Sequence, residues 1–216
     1  HWLLGVAIGA AALGIAVLAL LVTGSLSYTG QAGDASGWIG VVAVQLGFFA
    51  VAAYAEEALF RGYAFQVLAR SGGVMVATIA TSALFAVAHA RNPSVGVFAL
   101  INIFLAGLLL AAAYVRTLSL WFATAVHLGW NWAMASLFDL PVSGLTSFDT
   151  PLYEAAVGRP GWWSGGAFGP EGGLVGSIGF AIALLLVLRW RAIRVDPRVA
   201  AARPLFLNGE EESNAG

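Results

Sequence analysis

The sequence predicts an all-α fold, a polytopic bundle of membrane-spanning helices with about six spans and a reaction centre between them. Of the 216 residues, 60% are hydrophobic and only 10% charged, and the mean hydropathy of +0.85 lies well outside the range of soluble globular domains. The apolar stretches run continuously in Ala, Leu, Val and Gly, where a transmembrane barrel would alternate apolar with polar residues. Within those stretches, Arg189 at the end of the last apart, the charged and imidazole side chains fall in three short motifs, and a charge inside a bilayer costs about 2.5–3.5 kcal/mol even on lenient insertion scales.

About 20 residues cross a bilayer, and six runs qualify: Trp2–Val22, 38–58, 74–90, 95–115, 118–138 and 174–190. The first two are separated by 24–34, which is polar and turn-forming and reads as a loop. Residues 139–173 form the longest connection, rich in Gly and Pro, with Trp162 and Trp163 suited to the headgroup level. No internal repeat and no second domain is evident. The chain begins at His1 without a methionine and without a charged n-region, so upstream sequence, including further helices, is expected to be missing.

All ten basic residues are arginine, and five of them, Arg189, Arg191, Arg194, Arg198 and Arg203, lie at or beyond the end of the last run. An Arg-rich tail at 191–216, flush against a span, reads as a cytoplasmic anchor rather than a nucleic-acid site. Counting crossings back from it puts Arg70 and Arg116 on the same side, with Asp34, Arg91 and 139–173 opposite. Seven of the ten arginines then lie inside. Cysteine is absent, which excludes disulfides, thiol nucleophiles and Cys-ligated metals. The net charge of −1 points to no particular partner.

The first polar motif is Glu56-Glu57 with Arg61. Residues four apart share a helix face and adjacent ones are turned by about 100°, so Glu57 can pair with Arg61 while Glu56 points elsewhere, free to meet a substrate or water. The alternative is a packing cluster of all three, but a pair needs one acid and the site has two. Phe85 with His89, and His127 with Asn131, repeat the four-residue spacing on two later runs. A lone membrane histidine is more often a hydrogen-bonding core residue than a catalyst. Combined with a carboxylate, the set offers a base, oxyanion donors and possible metal ligands. Glu56, His89, Asn102, His127 and Asn131 are candidates to line a wet cavity, with Asn102 read first as interhelical glue. Gly107 is read as a close helix approach. At 1.5 Å per residue the run limits put His89 nearer the outer face than His127, which requires one boundary to be redrawn.

Taken in order, these motifs closely resemble those of the CAAX-processing and bacteriocin-processing (abortive-infection) intramembrane protease family, to which the type II CAAX prenyl endopeptidases belong. Its Glu-Glu-x-x-x-Arg is matched by Glu56, Glu57 and Arg61, its Phe-x-x-x-His by Phe85 and His89, and its His-x-x-x-Asn/Asp by His127 and Asn131. The resemblance covers about 38–138. It implies one membrane-embedded protease domain over 1–216, in which Glu56 activates water, His89, His127 and Asn131 position it and stabilise the tetrahedral intermediate, and Glu57 and Arg61 support them. Zinc held by Glu56, His89 and His127 is the metallo alternative, with a metal-independent route favoured by a small margin because no His-Glu-x-x-His occurs. The expected partners are the bilayer and a membrane-associated peptide or protein. The expected location is a bacterial cytoplasmic membrane, tail inward. A proton-coupled transporter using the same Glu and His residues as a relay, and a catalytically idle scaffold, are the competing readings.

Overall fold

The computed structural model describes residues 1–195, Pro197 and Ala201. Arg198 and Arg203 of the expected tail lie outside the described residues. The chain forms α1 (Trp2–Val22), β1 (Leu26–Gly30), α2 (Ala35–Arg61), α3 (Tyr63–Ala88), α4 (Val97–Thr117), α5 (Leu120–Trp132), β2 (Tyr153–Val157), a short α6 (Gly161–Ser164) and α7 (Leu174–Arg189). Each of the six expected runs is therefore helical. Among the described residues three stretches are long and apolar enough to cross a membrane: Trp2–Val22, Ala35–Ala88 and Val97–Thr117. α7 has 16 residues, and the 13 of α5 are prolonged by a wider π turn over Ala133–Leu137.

Helix α5 is central, packed between α1 on one side and α2 and α4 on the other. Small residues bring α1 and α5 backbone to backbone, as in tightly packed membrane helices. A Cβ at Gly9 would run into the Val126 carbonyl oxygen, and one at Gly129 into that of Val6. Ser119 caps the start of α5 by accepting from the Phe122 amide at 3.3 Å.

Helix α2 starts at Asp34, whose carboxylate accepts from the Gly37 amide at 2.7 Å, and it ends at Gly62, where the backbone leaves helical geometry. The break that reverses the chain comes later, at Gly73, with φ 86°, a conformation that costs glycine little. The expected boundary at 74 falls on this break. Residues 63–72 carry on in the direction of α2 down the side of α4. Arg61 reaches the Gly107 carbonyl at 2.9 Å, whereas Gln66 reaches the Tyr114 hydroxyl at 2.9 Å. Beyond Gly73 the chain climbs back, bringing Ser82 against Gly107 and the Phe85 ring 4.8 Å from the Arg61 guanidinium. The run expected to stop at 58 thus continues for several turns, which corrects the boundary and removes the mismatch in depth between His89 and His127.

The segment 24–34, read as a loop, contains β1, which pairs antiparallel with β2 from Leu26↔Val157 to Gly30↔Tyr153. The ladder is a departure from an all-α chain. It forms because Tyr28 and Tyr153 meet edge to face at 5.5 Å and donate their hydroxyls to the Phe138 and Leu137 carbonyls at 3.0 and 2.8 Å. The Trp163 indole donates to Thr23 at 3.0 Å, so the long connection folds back over the ends of α1 and α5. The opposite end of the bundle carries Arg116, whose guanidinium donates to the Trp190 carbonyl at 3.4 Å.

Candidate active site

Glu57 and Arg61 are both fully buried, and Arg61 Nη1 donates to Glu57 Oε1 at 3.1 Å. A lone charge in such a place would carry a desolvation cost of several kcal/mol or more. Here the guanidinium is neutralised by Glu57, hydrogen-bonded to the Gly107 carbonyl, and flanked by the faces of Phe60 and Phe85. Gly107 therefore does more than permit close approach, since its carbonyl receives the arginine. The anticipated i, i+4 pairing of Glu57 with Arg61 is present, and Glu56 is turned away from it with a side chain 36% exposed.

His127, on α5, sits beside Glu57, with Nδ1 3.0 Å from Glu57 Oε1. His89, at the C-terminal cap of α3, places its Nδ1 2.8 Å from the Phe85 carbonyl. A carbonyl only accepts, and so does an ionised carboxylate, so each Nδ1 carries hydrogen. In the neutral rings both Nε2 atoms then present lone pairs. They face the same atom: Glu56 Oε2 lies 4.0 Å from His89 Nε2 and 3.9 Å from His127 Nε2. That oxygen is buried and accepts no hydrogen bond among the described residues. One carboxylate and two imidazoles, drawn from α2, the end of α3 and α5, thus surround a gap that a single water can bridge.

Behind the two imidazoles is a cavity of about 30 Å³ lined by His89, His127, Asn131, Ser143 and Glu171 among others. A water needs roughly 10–15 Å³ measured this way, so the space suits one or two. Asn131 is on this wall, as its spacing from His127 requires. Asn102 is not; its amide donates to the Glu171 and Gly173 carbonyls at 2.8 Å each and its oxygen accepts from Ser177 at 2.6 Å, the interhelical role first read for it.

Glu171 escaped the sequence reading. It is 4% exposed and accepts from the Trp130 indole at 3.1 Å and from the Ser143 amide and hydroxyl at 2.8 and 2.7 Å. Burial pushes its carboxyl up, against the Ser143 hydrogen bonds and the nearby His89 and His127 imidazoles, which pull it down. The available signal was an isolated acid in a Gly-rich turn three residues before an apolar run.

Both histidines are oriented as metal-bound histidines usually are, with Nδ1–H held by a carbonyl or carboxylate. The spacing does not fit a formed site, because zinc bonds of roughly 2.0–2.1 Å put tetrahedral ligand atoms about 3.3 Å apart, short of the 3.9 and 4.0 Å found here. Among the described residues no group of three His, Cys, Asp or Glu could hold a metal ion.

A helical membrane bundle with a buried carboxylate–imidazole centre defines a class of intramembrane proteins with a polar site. Residues 37–133, the segment that carries Glu56 through Asn131, match the family model of the type II CAAX prenyl endopeptidase Rce1-like proteins. With its apolar helices, the chain is an integral membrane protein. No curated protein and no solved structure matches it.

Proposed function

We propose that the protein is an intramembrane endopeptidase that hydrolyses peptide bonds of membrane-associated or membrane-inserted peptides. The observation that carries this reading is the convergence of both Nε2 atoms on Glu56 Oε2. A water in that gap donates one hydrogen to Glu56 and is oriented by the imidazoles. Glu56 takes its proton as the oxygen bonds to the scissile carbonyl carbon, and the carbonyl oxygen becomes an oxyanion. Asn131 donates to that oxyanion, together with one imidazole that entered the step protonated at Nε2 from solvent and leaves it so. Collapse of the intermediate breaks the C–N bond, and Glu56 returns the proton to the leaving amine. Glu57 and Arg61 hold His127 in place.

Glu56 lies on the part-exposed side of α2, beside the exposed apolar residues Tyr54 and Leu59, so the substrate reaches the acid laterally, from the bilayer. The end bearing Arg116, Arg189 and Arg191 is assigned to the cytoplasm by its positive charge. Purified protein in liposomes, challenged with a library of membrane peptides, tests the proposal. Cleavage is expected in the wild type and absent in Glu56→Gln and His127→Ala. Proton flux without cleavage would support the relay instead, and cleavage unchanged in both variants would defeat the mechanism.

A further inference from the structure

The Glu171 carboxylate, which the proposed mechanism does not use, is buried at the back of the cavity with both oxygens accepting hydrogen bonds. Its Oε1 receives the indole of Trp130, which is one turn from His127 on α5. Its Oε2 receives both hydrogens offered by Ser143. Ser143 is held in the left-handed region, φ 49°, which is unfavourable for a residue with a Cβ. Its own carbonyl accepts from the Asn92 side-chain amide at 3.0 Å, and the Asn92 backbone amide donates to the His89 carbonyl at 3.1 Å. The neighbouring Gly144 is pressed so closely on Pro93 that a Cβ there would collide with the Pro93 carbonyl oxygen. This carboxylate therefore links the His127 helix, through Trp130, to the His89 turn, through Ser143 and Asn92.

We propose that Glu171 is a positioning residue that fixes the separation of the His89 and His127 imidazoles by bridging Trp130 to the Ser143–Asn92 turn. A carboxylate accepts at both oxygens; a glutamine side chain offers one acceptor and one donor group, so it satisfies one arm and opposes the other. Losing either arm frees the turn that carries His89, and misplacement of a reacting group by about 1 Å costs on the order of 100-fold in rate. The assignment rests on the protease reading for its consequence, although the spacing itself is a property of the fold.

The test uses the full chain, labelled with 15N-histidine, in nanodiscs, as wild type, Glu171→Gln and Trp130→Phe. Trp130→Phe removes the indole donor while keeping a ring against Phe180, and serves if Glu171→Gln does not fold. Expected are near-wild-type melting, displaced imidazole signals for the two internal histidines, and a kcat lowered about 10- to 100-fold at unchanged KM towards a cleaved membrane peptide. A folded Glu171→Gln or Trp130→Phe protein with unmoved imidazole signals or wild-type kcat overturns the assignment. If the wild type itself cleaves no membrane peptide, the protease reading falls, and the imidazole signals alone decide whether Glu171 positions the pair.

Discussion

His127 and Glu57 are joined through Nδ1 and Oε1 at 3.0 Å, on the same carboxylate oxygen that receives Arg61. The inner acid of the Glu-Glu pair is thereby committed to two partners, and the outer acid, Glu56, is the one left facing the gap between the imidazoles. Adjacent residues of the same type acquire different tasks because a helix turns about 100° between them.

Removing one member of the buried ion pair leaves an uncompensated charge. Arg61→Leu is expected to cost about 3–5 kcal/mol, read as a lower unfolding midpoint in detergent. Adding Glu57→Gln to it should recover most of that stability without restoring cleavage, because His127 has then lost its charged acceptor. A double variant no more stable than Arg61→Leu would show that the pair is not the source of the cost.

Glu56→Gln should behave in the opposite way. Its side chain is 36% exposed and Oε2 accepts nothing among the described residues, so the unfolding midpoint should stay within the spread expected of surface changes, about 0.5 kcal/mol. Cleavage of a membrane peptide should be lost. Retained activity would move the base elsewhere.

Backbone contact between α1 and α5 depends on Gly9 and Gly129. Gly129→Val inserts a side chain where the Val6 carbonyl stands, and overpacking of this kind costs about 1–3 kcal/mol. Since Gly129 is two residues from His127, activity should fall with stability. Ala at the same position already brings the Cβ that meets the Val6 carbonyl, so it should be destabilising too, and an Ala variant as stable and active as the wild type would argue against a steric cause.

Asp139 supplies a pH dependence. Burial raises its carboxyl above the ordinary 3.8, opposed by hydrogen bonds from the Ala155 and Thr150 amides. The folded state therefore holds this proton more tightly than the unfolded chain, so its contribution to stability declines as pH rises from 3.8 through the folded value and is constant above it. Unfolding midpoints of wild type and Asp139→Asn, measured between about pH 3 and 7, should differ by an amount that changes in that direction. A difference independent of pH would remove Asp139 as the cause.

Cleavage should survive chelation. The 3.9 and 4.0 Å spacings at Glu56 suit a bridging water better than a common metal ligand shell. Stoichiometric metal in the active protein, with activity lost on chelation and regained on replacement, would reverse this.

Much of the site was legible because helical spacing is strict. Glu57 with Arg61, Phe85 with His89 and His127 with Asn131 needed only the four-residue repeat, and their order along the chain located the three elements. What sequence did not reveal depended on long-range closure. The loop at 24–34 contains a strand only because β2, more than a hundred residues later, supplies its partner. Residues 63–72 look like a connection until Gln66 and Phe65 are seen against Tyr114. Glu171 stood in a Gly-rich turn with no periodic partner, and its place is set by Trp130 and Ser143, 41 and 28 residues away.

The two-stranded ladder ties the exit of α1 to the segment that follows α5. A protease nick at the exposed turn around Gln31 to Gly33 would therefore leave the first helix attached, riveted by the ladder above and by the glycine seam below. Severing the peptide there would divide the chain without dividing the machine.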